Sequence, residues 1–276
     1  MSFVKHSENK KMNKIIVTLI LVSFISLAFT SDKPQTQVPF PYGTNEYIAY
    51  RVHYGFINAG EAKMQIDDKL YLINNKICHK AFVMGATSGP FDMAMRIRDS
   101  WATYLDTASR TPQRAIRDIA ENKYRLREYT NYDYANNQLT IEREGSEKPA
   151  VCYKVPNDVQ DIVSGFFYLR NIDFNKKRIG DTISMNAFLD NKLYLFKVRF
   201  TAREKIDSKF GEINCIKLNP IMEKNGLFED GNSISFWISD DLNKIPIRIE
   251  AKMWLGKVAM DIKAYKNLKN PIHFED

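Results

Sequence analysis

Apolar and polar residues alternate along the stretch YRVHYGFINAGEAKMQI, residues 50 to 66, with one interruption. Successive side chains of an extended strand point to opposite faces, so the apolar residues on either side of the interruption each share a face. They are Tyr50, Val52 and Tyr54 before it, and Ala62, Met64 and Ile66 after it. The pattern predicts a β-hairpin with one solvated face, whose turn lies at residues 58–60 and uses a positive φ at Gly60.

Further strand-like segments follow almost to the end of the chain. They cover residues 69–73, 101–105, 124–134, 139–143, 193–201, 213–218, 233–238, 247–253 and 257–265. Turn residues separate many of them, at 136–137, 144–146, 190–191 and 230–232. Short connections at this spacing predict antiparallel meanders. The last two segments, on either side of Gly256, repeat the pattern of the first hairpin.

One segment, PNDVQDIVSGFFYLRNID, has helical periodicity. Its apolar residues are Val159, Ile162, Val163, Phe166, Phe167 and Leu169. Asn157 and Gln160 resemble a capping box at its start, and Arg170 suits its last turn. A weaker helical turn is expected at residues 91–97. So little helix cannot cover this many strands. The predicted fold class is therefore mainly β, a curved antiparallel sheet (barrel or half-barrel) with one or two covering helices.

The N-terminal region has the pattern of a secretory signal. Three lysines precede an apolar run of about fifteen residues, from Ile15 to Phe29, and small residues follow. We expect cleavage near residue 28 or 30, with a retained N-terminal anchor as the alternative, and an exported protein in the periplasm or envelope. The predicted organisation is a signal peptide at 1–30, a flexible segment at 31–44, one β-rich domain at 45–268 and a C-terminal tail at 269–276.

The charge of the chain argues against a nucleic-acid partner. The formal net charge is +7, and residues 1–30 contribute four lysines and one glutamate, so the remainder carries only +4. A nucleic-acid-binding domain typically has a concentrated basic stripe. Residues 96–127 hold eight basic side chains with acidic ones interleaved. This segment is either a solvated strand face or a patch for an anionic ligand or the envelope membrane surface.

The three cysteines that remain after export are Cys78, Cys152 and Cys215. Their spacing matches no zinc motif, so no metal site is predicted. Apolar neighbours suit buried free thiols, and one disulfide is the alternative.

The sequence contains no motif that names a reaction. There is no G-x-S-x-G, no phosphate loop and no dinucleotide fingerprint, and His53, His79 and His273 are scattered singly. No cofactor and no catalytic residue are predicted, and an enzyme is the less favoured interpretation. Paired carboxylates leave a hydrolase acting on an envelope polymer as the alternative.

Aromatic residues offer the candidate binding site. Trp237 lies among serines on the polar side of its strand, opposite Phe236, and either lines a second apolar space or rests beneath a loop. Phe166 and Phe167 lie on the apolar face of the predicted helix. Trp237, Phe166 and Phe167 are the predicted ligand-binding residues. We expect an apolar small molecule, lipid, acyl chain or apolar peptide to bind on the concave face of the sheet.

Four stretches carry a resemblance to a known family: YGFINAGEA at 54–62, MRIRDSWATYLD at 95–106, SFWISDDLNKIPIRIEAK at 235–252 and GKVAMDIKAY at 256–265. Together they resemble the bacterial exported proteins called domain of unknown function 3108, over roughly residues 45–268. The resemblance implies an exported, β-rich protein and gives no site residues. The segment at 236–249 is also similar to the strand-turn-strand of periplasmic lipoprotein carriers, half-barrels that enclose acyl chains.

Overall fold

The computed structural model describes residues 40–221, 233–253 and 256–275. Its strands are β1 Tyr47–Tyr54, β2 Ile57–Ile73, β3 Lys76–Thr87, β4 Arg98–Asp106, β5 Pro112–Glu121, β6 Tyr124–Asp133, β7 Gln138–Arg143, β8 Val151–Lys154, β9 Thr182–Leu189, β10 Lys192–Ser208, β11 Gly211–Pro220, β12 Ile234–Ser239, β13 Pro246–Met253 and β14 Gly256–Lys266. The α-helices are α1 Gly89–Ala94 and α2 Ile162–Arg170, and a 3-10 helix spans Phe174–Lys176. The predicted signal peptide at 1–30, residues 31–39 and the turn predicted at 230–232 lie outside the described residues.

The described strands form one curved, unclosed antiparallel sheet, which confirms the predicted fold class. β1 to β8 form one meander and β9 to β14 a second. The pairing of β1 with β14 joins the two meanders at the middle of the sheet. β8 and β9 are therefore the two ends of the sheet.

The first hairpin turns at Gly55, whose φ is 55°, and the turn predicted at residues 58–60 is wrong. Residues 58–60 lie inside β2, at a bulge in its pairing with β1. The φ of Gly60 lies outside the left-handed region. Glycine is required there because a Cβ would lie 2.3 Å from the backbone oxygen of Ala86 on β3.

The predicted start of the main helix is also wrong. α2 begins at Ile162 with Asp161 as its N-cap, and the capping box pairs Asp161 with Ser164 instead of Asn157 with Gln160. The backbone of Gln160 forms an isolated parallel bridge to Ala187 of β9. In a helix that began at Asn157, the backbone groups of Gln160 would belong to the first helical turn. In the structure they pair with β9 instead.

Four strands lie where no strand is predicted from the sequence: β3, β5, β8 and β9. β3 has mostly half-buried residues, β5 begins with Pro112, and β8 has four residues. The apolar residues of β3, β5 and β8 do not alternate clearly, whereas those of β9 do, with Ile183, Met185 and Ala187 between polar residues. Two-residue turns with positive φ at both positions join β2 to β3 at Asn74-Asn75 and β9 to β10 at Asp190-Asn191.

The core lies on the inner face of the sheet and around α2. The largest cluster of buried apolar side chains includes Tyr50, Met64, Val163 and Phe167. A second cluster packs Leu169 of α2 against β9, β10 and β11. The end of the chain is packed as well, since Phe274 contacts the first cluster and Glu275 pairs with Glu212. The helices of the described residues include no candidate for a membrane-spanning segment.

Candidate functional site

The helix α2 presents two apolar faces to two different surroundings. Ile162, Gly165, Phe166 and Leu169 follow one another at helical spacing and line a cavity against β9, β10 and β12. Val163 and Phe167 point instead into the main core. The helix therefore lies between the main core and the cavity, and Leu169 belongs both to the second buried cluster and to the cavity lining.

The N-terminus of α2 is fixed by Asp161. Its Oδ1 accepts hydrogen bonds of 2.8 Å from the backbone N–H groups of Val163 and Ser164. Its Oδ2 accepts a 2.7 Å bond from the hydroxyl of Thr103, which is fully buried on β4. Burial raises the pKa of Asp161, and these hydrogen bonds offset part of the rise. The contacts hold the start of the helix against the inner face of the sheet.

The C-terminus of α2 is held by a buried ion pair. Arg170 donates to both carboxylate oxygens of Glu46, at 2.6 and 3.0 Å, and to the backbone oxygen of Asn243 at 2.9 Å. The guanidinium also lies 5.2 Å from the ring centre of Tyr42. Both charged side chains are at most 2% exposed. The helix is therefore anchored at both ends.

The larger apolar cavity at α2 has a volume of about 210 Å³. It lies between the helix and strands β9, β10 and β12. Phe166, Met185, Phe196 and Phe236 are among its lining residues. The rings of Phe166 and Phe236 meet edge to face with centroids 5.8 Å apart. Ile162 and Leu189 line the same cavity and are partly exposed, so they form its rim.

A second cavity of about 80 Å³ adjoins the first at Asp161, Ile162, Phe188 and Leu189, which line both. Its other lining residues include polar side chains on β4, β5 and β6: Thr103, Arg117, Glu128 and Thr130. Arg117 lies 2.9 Å from Asp190 and 3.8 Å from Glu128. The two cavities are thus adjacent, and the smaller one has charged side chains among its lining residues.

Both cavities lie beside the seam, which we define as the contact between residues 158–160 and β9. The backbone N–H of Gln160 donates to the backbone oxygen of Asn186, and the backbone N–H of Phe188 donates to the backbone oxygen of Gln160, each at 2.8 Å. The side chain of Asn186 donates to Asp158 at 2.8 Å. Because residues 158–160 follow β8, the seam links one end of the sheet to the other.

The structure does not bring the three predicted ligand-binding residues together. Phe166 lines the larger cavity, whereas Phe167 packs edge to face on Tyr42 in the core. Trp237 is 6% exposed and lies outside the described cavity lining. Its indole N–H donates to Glu204 at 2.6 Å, and the Lys217 ammonium lies 4.8 Å from its ring centre. Trp237 points away from the cavity because its strand neighbour Phe236 points into it.

Sequence reasoning missed the cavity residues of β9, including Met185 and Phe188. The sequence predicts a turn at 190–191 followed by a strand at 193–201. A tight turn before a strand indicates a hairpin, so a partner strand in residues 182–189 could have been predicted. Nothing local to Glu46 signals its pairing with Arg170, 124 positions away.

Comparisons with known proteins are consistent with this architecture. A family model described as Protein of unknown function (DUF3108) matches residues 49–263. The beta-barrel-like protein of DUF1849 from Brucella abortus superposes with a TM-score of 0.54 at 8% identity, covering 80% of this chain and 97% of that chain. A Bacteroides fragilis protein with a YmcC-like fold gives a TM-score of 0.35 at 11% identity, covering 83% and 98%, a score too low to define a shared fold. No curated protein matches the sequence.

Proposed function

We propose a function from the site geometry, because the chain belongs to the DUF3108 family, which is described only as of unknown function. The protein is a non-enzymatic, exported envelope protein that binds an apolar ligand in the cavity between α2 and the sheet. The ligand is an acyl chain or a similar apolar group.

The lining of the larger cavity carries this proposal. Aromatic and aliphatic side chains from the helix and from three strands converge on the cavity. An apolar cavity gives water few hydrogen-bond partners, so it stays dry or takes up an apolar ligand. The rim residues Ile162 and Leu189 would let a chain enter from solvent.

The cavity size favours part of a chain over a large compact ligand. An apolar cavity of roughly 150 Å³ holds a benzene molecule. Pockets for drug-sized ligands are larger, on the order of 300–1,000 Å³. The 210 Å³ found here suits the end of an acyl chain. The rest of the chain would extend past the rim or toward Arg117 in the adjoining cavity.

Export is supported by the basic start and the apolar run of the N-terminal region. Protein isolated from its producing cells is therefore expected to begin between residues 29 and 34.

Gly165 gives the sharpest test of ligand binding. A Cβ at Gly165 would lie 3.5 Å from Sδ of Met185, an ordinary contact, so a longer side chain would extend into the cavity. We expect Gly165→Leu to weaken binding of a dansyl-labelled undecanoic acid by about tenfold or more, because the added side chain takes the ligand's volume. Dansyl emission measures the binding, and unlabelled dodecanoic acid should compete.

Gly165→Ala is the matched control. It adds one methyl group and favours the helix by about 1 kcal/mol, so it should remain folded and bind the probe. A folded Gly165→Leu variant that binds as tightly as the wild type would place the ligand elsewhere and end the proposal.

A further inference from the structure

The tip of the β9–β10 hairpin exposes a group of large apolar side chains. Leu189, Leu193, Tyr194 and Leu195 are between 42 and 60% exposed. The tight turn at Asp190-Asn191 places all four at one end of the hairpin, with Leu189 and Tyr194 on one face and Leu193 and Leu195 on the other. Single exposed apolar residues are common on soluble proteins, but a group of four on one hairpin indicates a contact surface.

Basic side chains follow the leucines along β10. Alternation places Leu193, Leu195, Lys197 and Arg199 on the same strand face, and both basic side chains are exposed. Their partners on β9 are neutral, since Lys197 lies opposite Ser184 and Arg199 opposite Thr182. Lys192 adds a third exposed basic residue at the tip. The turn itself holds the acidic Asp190, which pairs with Arg117 at 2.9 Å. The surface thus has an apolar tip with net positive charge behind it.

The charge distribution points to an anionic lipid surface. Apolar side chains can enter the boundary between headgroups and acyl chains, while basic side chains behind them remain among anionic headgroups. The β2–β3 hairpin also exposes Leu70 and Leu72, but the charges of Asp67 and Asp68 there are offset by Lys69 and Lys76. That hairpin therefore lacks the net positive charge that follows the β9–β10 tip.

We propose that the β9–β10 hairpin tip docks the protein on a bilayer that contains anionic lipid. Leu189 belongs to this tip and also lines both cavities. Docking would therefore place the cavity rim against the lipid. The docking surface goes beyond the proposed cavity function and can be tested separately from it.

Vesicle flotation of the protein isolated from its producing cells tests the docking surface. The wild type should bind vesicles of phosphatidylethanolamine and phosphatidylglycerol more strongly than vesicles of phosphatidylcholine. Leu193→Ser/Leu195→Ser should lower that binding by about tenfold or more, because the apolar area that enters the membrane is removed. Lys197→Gln/Arg199→Gln should remove most of the preference for vesicles that contain phosphatidylglycerol. Each lost charge should weaken binding to those vesicles by about fivefold.

Leu70→Ser/Leu72→Ser is the matched control, since it removes the same side chains from an exposed hairpin elsewhere and keeps the same N-terminus. It should bind vesicles as the wild type does. The proposal would be overturned if both leucine variants lost vesicle binding equally, or if the β10 leucine variant bound as the wild type does. It would also be overturned if the wild type did not float with the vesicles. Dansyl-undecanoate binding should persist in the β10 leucine variant. Gly165→Leu should no longer bind dansyl-undecanoate but should still float with the vesicles. The two experiments therefore distinguish failure of the cavity proposal from failure of the docking proposal.

Discussion

At the scale of single residues, burial decides the chemistry of the cysteines. Cys78 and Cys215 are fully buried, and burial raises the pKa of Cys78 to about 11 and that of Cys215 to about 12. Cys152 is exposed on β8, and all three are free thiols. The thiolate is the reactive form of cysteine. The two buried thiols are inert at neutral pH because reagents cannot reach them and because they remain protonated.

This difference predicts the thiol reactivity of the native protein. One equivalent of Ellman's reagent should react rapidly at neutral pH, at Cys152, and the other two thiols should react only in denaturant. Cys152→Ser should abolish the rapid phase and leave two thiols in denaturant. Fewer than three thiols in denatured, unreduced wild type would reveal a disulfide and contradict the assignment.

Single residues also show where sequence reasoning reaches its limit. The sequence pattern predicted a positive φ in a turn at Gly60, whereas glycine is required there by the close backbone of Ala86 on β3, a strand the pattern did not predict. The sequence pattern placed Trp237 on the side of its strand that lacks the main core, which is wrong, because its side chain belongs to the largest buried apolar cluster. Its partner Glu204 is 33 positions away on β10, and no periodicity indicates that contact.

At the scale of elements, α2 has anchored ends and an open flank. Its position depends on Asp161 at one end and on Arg170 with Glu46 at the other. A buried ion pair contributes little net stability when compared with apolar residues of similar size, but losing one partner leaves an unpaired buried charge. The ion pair therefore specifies where the helix lies more than it stabilises the fold.

A double-mutant cycle tests this role. Arg170→Met alone should lower the free energy of unfolding by about 3–5 kcal/mol, because Glu46 remains buried without a partner. Arg170→Met with Glu46→Leu should recover about 2 kcal/mol or more of that loss, measured by urea unfolding. Lys176→Met, which breaks the exposed pair with Asp173, is the control and should change stability by about 0–1 kcal/mol. A double variant no more stable than Arg170→Met would contradict the argument.

The sequence predicted that α2 exists but not where it begins. Asn157 and Asp161 are both good N-caps, so local preference leaves two starts open. Pairing of Gln160 with β9 selects the later one. That choice depends on a strand about 25 residues further along, which local periodicity cannot show.

At the scale of the whole molecule, two meanders form one sheet whose ends approach each other at the seam. β1 lies in the middle of the sheet and is paired along its length with a strand on each side. The seam has two backbone hydrogen bonds at Gln160, supported by the Asn186–Asp158 bond and the Arg117–Asp190 pair. Curvature was predictable from many strands and one main helix, whereas the position of the seam depends on contacts between distant segments.

The seam should open locally, at a lower free energy than global unfolding. Few hydrogen bonds hold it, and the Arg117–Asp190 pair is partly exposed and worth about 1 kcal/mol or less. In native-state hydrogen exchange, the amides of Gln160 and Phe188 should exchange about tenfold or more faster than those of β1. Dansyl-undecanoate should slow exchange at the seam and leave β1 unchanged, because the cavity lining includes Phe188. Arg117→Gln should speed exchange at the seam only, while Lys176→Met should not affect it. Equal exchange at the seam and in β1 would mean that the two ends of the sheet open only when the whole domain unfolds.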